Sequence, residues 1–186
     1  LMGFGSHGLL DACTSYGTQL FWPFTDLRIA WNNVSVVDPL FTLPLLIGVA
    51  TAVARSSPQW VRAAAIWAIA YLLLGVAQRE RAEAAGFELA TSRGHAPSEV
   101  VAKPSFGNLL LWKTVYEHGS HYYVDATRVG LNVKSFPGQR SRKVNMSRDL
   151  HWLDVDSQQA RDLERFRWFS NGKLGLDPDN RDRIID

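Results

Sequence analysis

The chain has 186 residues, a formal net charge of +2 and one cysteine, Cys13. This length accommodates one or two domains. The small positive charge does not indicate a nucleic-acid partner, so no direct nucleic-acid binding is expected. A single cysteine excludes both an intramolecular disulfide framework and a zinc site built from cysteines.

Charged residues are distributed unevenly along the chain. Residues 34–78 contain only Asp38, Arg55 and Arg62, whereas most acids and bases follow residue 78. This contrast predicts a membrane-embedded part followed by a water-facing part. The predicted units are a membrane-embedded helical part over 1–78, an amphipathic helix and linker over 79–104, and an extra-membrane α+β domain over 105–186.

The first candidate element is a helix over residues 1–16, which carries His7 and Asp11. Their spacing of four residues places both side chains on one helix face, with Cβ atoms roughly 6 Å apart. An imidazole nitrogen and a carboxylate oxygen so placed can bind one metal ion. Thr14 lies one i+3 step further along the same face, where its hydroxyl can orient a ligand or a water, and Gly17 is the expected helix end. The alternative interpretation is a surface or capping pair, because a catalytic zinc takes about three protein ligands.

Two apolar runs come next and are predicted to span a membrane over about 36–54 and 60–78. Asp38 followed by Pro39 is typical of a helix start, with the aspartate as N-cap and the proline at the first helical position. Because each run is short, a buried helical hairpin of a soluble protein is the alternative.

Two membrane spans would place the N-terminal region and the C-terminal domain on the same side. Arg28, Arg79 and Arg81 flank the spans on that side, against Arg55 and Arg62 at the short connection. Since cytoplasmic flanks carry more arginine and lysine, this distribution favours a cytoplasmic C-terminal domain.

The water-facing part is predicted to contain a β-hairpin and an amphipathic helix. The hairpin pairs Asn108–Glu117 with Tyr122–Val129, and the helix covers Ser157–Phe169. Gly130–Asn145 is interpreted as a solvated loop, with an anion site at its basic residues as the alternative. Three further histidines are interpreted as ordinary surface or hairpin residues: His118, His121 and His151.

Three stretches of the chain resemble a known bacterial family, the membrane-bound metal-dependent hydrolases. They are HGLLDACTSYGTQ over residues 7–19, WPF over 22–24 and VDPL over 37–40. The family is also described as LexA-binding, inner-membrane-associated hydrolases, and it is distantly similar to the zinc-dependent phospholipase C fold. The resemblance implies that His7 and Asp11 are the metal pair. The positions that match the rest of the quoted stretches are Thr14, Tyr16, Gly17, Gln19 and Asp38.

The family also carries an upstream segment with a further histidine, of the type R-G-x-T-H-S. That segment is not in this sequence, so the sequence is interpreted as a fragment whose remaining metal ligands lie upstream of residue 1.

The resemblance implies a mainly α fold, with phospholipase C-like, membrane-embedded helices followed by a small α+β domain. It further implies a zinc-dependent hydrolase in the bacterial inner membrane, a multi-pass protein in contact with membrane lipid that acts on a phosphoester or lipid-derived substrate. The alternative from a different functional class is a non-catalytic, membrane-anchored module that binds a protein partner through its C-terminal domain. A soluble helical domain is the third interpretation.

Overall fold

The computed structural model describes residues 2–180 and 183–185, in which helices lead into one antiparallel sheet. The helices are α1 (Met2–Ala12), α2 (Pro39–Ala54), α3 (Gln59–Ser92), α4 (Met146–Asp149) and α5 (Gln158–Phe169). The strands are β1 (Val100–Pro104), β2 (Leu111–His118), β3 (His121–Val129), β4 (Val133–Lys143), β5 (Gly175–Leu176) and β6 (Ile184–Ile185).

The helices α2 and α3 form a hairpin. Asp38 caps α2 as its sequence predicts, since its carboxylate accepts hydrogen bonds from the backbone N–H groups of Leu40 and Phe41 at 3.0 and 3.3 Å. The two helices approach closely at Gly48, where a Cβ atom would lie 2.7 Å from Cβ of Ala64. Packing at this crossing therefore depends on the absence of a side chain.

The outward faces of this hairpin are apolar and exposed. The exposed apolar side chains on the two helices include Leu43, Leu46, Ile47, Val53, Ile66, Ile69 and Leu73. By length and composition α3 can cross a membrane, and only 17% of its most apolar window is buried. The helix α2 has 16 residues and is the shorter of the two.

The second half of α3 leaves the hairpin and packs against the sheet. It presents small residues to the strands, namely Ala82, Gly86 and Ala90, all of which are buried. A Cβ atom at Gly86 would lie 2.7 Å from Cγ1 of Val100. With 34 residues, α3 is about 51 Å long and runs without a break from the apolar hairpin to the sheet.

The sheet is antiparallel throughout, with strand order β1-β2-β3-β4-β5-β6. The predicted hairpin is confirmed, because β2 pairs with β3 from Leu111↔Arg128 to His118↔His121. Trp112, Thr114 and Tyr116 are buried on the face that packs against α3. The helix at the predicted position 157–169 is also confirmed as α5, and the Ser157 hydroxyl caps it by accepting from the Ala160 N–H at 3.1 Å.

The predicted fold class is wrong. The structure is 41% helix and 23% strand, with a six-stranded antiparallel sheet curled into a half-barrel and one long apolar helix, so the fold is not mainly α. The strand β1 lies in the segment predicted to be a linker, and β4 lies in the segment predicted to be a solvated loop. Most side chains of β4 are exposed, so the strand carries little hydrophobic alternation, and its extended state depends on pairing with β3.

Candidate functional site

The predicted metal pair lies on one face of α1. Nε2 of His7 is 3.3 Å from Oδ2 of Asp11, and the two side chains are 76% and 42% exposed. The helical spacing therefore brings these two groups into contact as the sequence predicts. An exposed pair of this kind stabilises a helix by only about 0.3–0.5 kcal/mol, so its contribution to the stability of the fold is small.

Thr14 lies beyond α1, so its predicted place on the helix face is wrong. The helix ends at Ala12 because the chain turns there to pair with residues 31–34. The carbonyl of Cys13 accepts hydrogen bonds from the N–H groups of Asn33 and Val34, at 2.8 and 3.1 Å. The Thr14 hydroxyl donates to the carbonyl of Asp11 at 2.8 Å and thereby fixes the turn next to the metal pair.

Gly17 shapes the loop that follows this turn. Its φ is +64°, and a Cβ atom there would lie 2.3 Å from the carbonyl oxygen of Ile29. Both facts require glycine, although the position lies past the helix end that it was predicted to mark. Tyr16 is exposed, with its ring 5.9 Å from the ring of Phe169, and the backbone carbonyl of Gln19 accepts from the Trp22 N–H at 3.1 Å.

Asp38 is buried at the start of α2 and is only 2% exposed. Besides capping the helix, its Oδ2 accepts a hydrogen bond of 2.7 Å from the hydroxyl of Tyr71 on α3. These hydrogen bonds are structural, and they join the start of α2 to the neighbouring helix. This carboxylate is therefore not available to abstract a proton during a reaction.

A cavity of about 350 Å³ lies between the end of α1 and the start of α2. Its polar lining comes from Asp11, Thr14, Ser35, Asp38 and Thr42, and its apolar lining includes Phe41. Asp11 of the predicted metal pair thus lines a partly open space of the size that small ligands occupy.

The distance between the two predicted ligand atoms suits a shared zinc ion. Two atoms bonded to one tetrahedral zinc at about 2.0–2.2 Å lie roughly 3.3–3.6 Å apart, and the pair is separated by 3.3 Å. Within residues 2–180 and 183–185, no group of three His, Cys, Asp or Glu side chains is placed to hold a metal. Within the described residues, His7 and Asp11 could therefore supply two of the about three protein ligands that a catalytic zinc takes.

Cys13 lies next to this site but is not poised as a nucleophile. Burial raises the pKa of its thiol, against the smaller, lowering effect of a hydrogen bond with Asn33. The thiol is therefore protonated at neutral pH, and a protonated thiol is a poor nucleophile and metal ligand.

A second group of polar side chains, which the sequence analysis missed, lies where the end of α3 meets the sheet. The rings of His95 and His118 are stacked with centroids 3.9 Å apart, and Nδ1 of His95 is 3.0 Å from the hydroxyl of Tyr116. Arg93 holds Asp125 through two hydrogen bonds of 2.7 and 2.8 Å. Burial, His118 and Arg93 together lower the pKa of His95 below its usual value. The sequence carries no signal for this group, because strand register brings its members together.

Comparison with known protein families matches residues 1–82 to the family described as YdjM inner membrane protein. The matched part contains α1, α2 and about the first two thirds of α3, and it ends before the sheet. No curated protein and no solved structure matches the chain. The N-terminal part is therefore similar to an inner-membrane protein family, and it contains one helix able to cross a membrane.

Proposed function

We propose that the chain is an inner-membrane protein in which α2 and α3 cross the bilayer as a helical hairpin. The support is the row of exposed apolar side chains on both helices, which water would not tolerate as one continuous surface. The 16 residues of α2 give a length of about 24 Å, slightly less than a hydrocarbon core of about 30 Å. Local thinning of the bilayer accommodates such a difference.

The membrane boundary in this proposal lies near residue 79 of α3. Nη1 of Arg79 donates to the carbonyl of Trp31 and to Oδ1 of Asn33, at 2.8 and 3.0 Å, which fixes the N-terminal loop at this height. That loop exposes the aromatic rings of Trp22 and Phe24, which suit the lipid–water interface. The excess of arginine on this side favours a cytoplasmic C-terminal domain.

Our proposal for the activity is metal-dependent hydrolysis at this boundary, with zinc as the metal. The observation that carries it is the 3.3 Å contact between His7 and Asp11 beside a polar cavity. When bound, a zinc ion supplies a hydroxide nucleophile near neutral pH. His7 and Asp11 would hold the ion together with further ligands, while the Thr14 turn keeps Asp11 in place. A phosphoester or lipid-derived substrate suits a cavity next to the bilayer.

The test compares metal content and hydrolysis in the full chain, purified in detergent and loaded with zinc. The variants are His7→Ala and Asp11→Asn, and His151→Ala is the control because it removes an exposed histidine far along the chain. We expect both site variants to lose bound zinc and turnover of bis(4-nitrophenyl) phosphate, and the control to retain them. Equal zinc content and equal turnover in all four proteins would rule out the proposal.

The second candidate is a non-catalytic anchored module that binds a protein partner through its C-terminal domain. It is favoured by a groove of about 470 Å³ between α4 and α5, which the exposed Val155 lines, and by the exposed Trp152 three residues before it. In this case Trp152→Ser abolishes capture of the partner, whereas chelation of metal leaves capture unchanged. Loss of capture on chelation would argue against this candidate.

A further inference from the structure

One end of the sheet is fixed next to the proposed membrane boundary by hydrogen bonds to α3. Nε2 of Gln78 donates to the backbone carbonyls of Leu109 and Val129, at 3.2 and 2.8 Å. Nη2 of Arg81 donates to the carbonyl of Gly130 at 2.8 Å. The start of β2 and the end of β3 therefore lie beside the part of α3 at which it leaves the bilayer in the proposed arrangement.

Two loops lie at this end of the sheet. In the β1–β2 loop, residues 105–110, the N–H of Gly107 donates to the hydroxyl of Ser35 at 3.3 Å. A Cβ atom at Gly107 would lie 3.5 Å from Cδ of Pro39, so this loop contacts the first residue of α2. The other loop is the β3–β4 turn, residues 130–132, which Arg81 holds beside α3. Both loops are thus placed where the two helices enter the bilayer.

These loops expose large apolar side chains. Leu131 is fully exposed, Phe106 is 76% exposed and Leu110 is 55% exposed. The carbonyl of Leu110 accepts a hydrogen bond of 2.7 Å from the N–H of Val129, so Leu110 lies close to the β3–β4 turn. Together, Phe106, Leu110 and Leu131 form an apolar rim at the membrane-facing end of the sheet. Apolar side chains grouped on an exposed surface mark an interaction site, whereas scattered ones do not.

The charges beside the apolar rim are positive. Arg128 on β3 lies directly opposite Lys134 on β4, and both residues are exposed. Within the residues that the structure describes, neither forms an ion pair, and the ammonium of Lys134 lies 5.2 Å from the centre of the Phe136 ring. The stretches 104–116 and 126–143 contain no Asp or Glu. Exposed apolar side chains next to basic ones suit the surface of an anionic lipid bilayer.

We propose that the apolar rim inserts into the bilayer that the helical hairpin crosses, with Arg128 and Lys134 at the anionic head groups. The inference rests on the proposed membrane hairpin, because the hairpin sets the height of the rim relative to the lipid. Insertion removes the apolar side chains of the rim from water, which is favourable. The sheet is then attached to the bilayer through two of its loops as well as through α3, and these contacts fix its orientation.

The test measures contact with lipid in the full chain, reconstituted in nanodiscs of phosphatidylcholine and phosphatidylglycerol. A nitrobenzoxadiazole fluorophore is attached to one introduced cysteine at a time in a Cys13→Ala background. Leu131→Cys and Phe106→Cys report on the rim, and Leu46→Cys reports on the exposed apolar face of α2. Ser120→Cys is the control, because it lies beyond the far end of β2, a strand about 26 Å long.

Lipids with a nitroxide on the acyl chain quench a fluorophore that lies in the hydrocarbon. We expect strong quenching at Leu131, Phe106 and Leu46, and none at Ser120. The introduced cysteines replace exposed side chains, so they do not remove core packing.

The role of the basic pair is tested with nitroxide on either phosphatidylglycerol or phosphatidylcholine. A basic side chain at the membrane surface favours an anionic lipid by about fivefold. We therefore expect the phosphatidylglycerol quencher to act more strongly at Leu131, and Arg128→Gln to reduce this preference by up to about fivefold. Arg140→Gln is the matched control, since Arg140 is also exposed but is paired with Tyr123, toward the far end of the sheet.

The outcomes distinguish this inference from the proposal on which it rests. Quenching at Leu46 without quenching at Phe106 and Leu131 would overturn the rim contact and leave the membrane hairpin in place. Absence of quenching at all three positions would refute the hairpin and the rim contact together. A preference for phosphatidylglycerol that Arg128→Gln leaves unchanged would show that this basic pair does not contact the head groups.

Discussion

The hydrogen bonds of Asp38 give a sharp test of how the helical hairpin is held together. Its carboxylate caps α2 and accepts a hydrogen bond from the hydroxyl of Tyr71, and the residue is only 2% exposed. Replacing it by alanine removes an N-cap, at a cost of about 1 kcal/mol. It also leaves the Tyr71 hydroxyl buried without a partner, at a further cost of about 1–3 kcal/mol.

The expected loss for Asp38→Ala is therefore about 3 kcal/mol. For a chain of this size, 1 kcal/mol shifts Tm by about 2–4 °C, so Tm should fall by about 6–12 °C. Asp38→Asn keeps one amide oxygen for capping and should lose about 1 kcal/mol. Thermal unfolding in detergent, followed by circular dichroism at 222 nm, measures both changes.

A double-mutant cycle with Tyr71→Phe identifies the source of the loss. If the two side chains are hydrogen-bonded, Tyr71→Phe lowers the free energy of unfolding much less in the Asp38→Ala background than in the wild type. The expected coupling energy is about 1–2 kcal/mol. Strictly additive effects, or an Asp38→Ala protein as stable as the wild type, would refute the reasoning.

Two other perturbations test the packing of α3. Gly75→Ala should lower the Tm by about 4–8 °C, because the new Cβ would lie 2.2 Å from the backbone oxygen of Asn33. Gly8→Ala is the control and should not lower the Tm, because its Cβ would meet only a side-chain atom, at 3.5 Å. The lowered pKa of His95 means that the unfolded chain binds this proton more readily, so stability should fall as the pH drops through 6.5, measured as Tm between pH 8 and pH 5. His118→Asn removes one positive neighbour and should reduce this fall, and an unchanged pH profile would show that the stacked pair is not its source.

Local chemistry predicted several elements correctly. Asp38 before Pro39 marks the start of α2, because a capping side chain and its target N–H groups lie within three residues. The amphipathic pattern over 157–169 likewise matches α5. The hairpin of β2 and β3 was also predictable, since both strands alternate and a short turn joins them.

The remainder depended on contacts between distant parts of the chain. The end of α1 at Ala12 is decided by pairing with residues 31–34, so the helical spacing of Thr14 was misleading. The strand β4 is stabilised by pairing with β3, because its own sequence shows little hydrophobic alternation. The contact of His95 with His118 depends on how α3 packs on the sheet. Of the candidate site, the sequence could predict the His7–Asp11 contact, but not the cavity or the structural role of Tyr71 beside it.

The central claim is that His7 and Asp11 bind one metal ion together. Zinc K-edge X-ray absorption of the zinc-loaded full chain tests it most directly, because imidazole ligands add a distinct outer-shell scattering signal. We predict a shell of nitrogen and oxygen atoms at about 2.0–2.2 Å with an imidazole contribution that is lost in His7→Ala. An identical spectrum from His7→Ala, or a wild-type protein that retains no zinc, would contradict the claim.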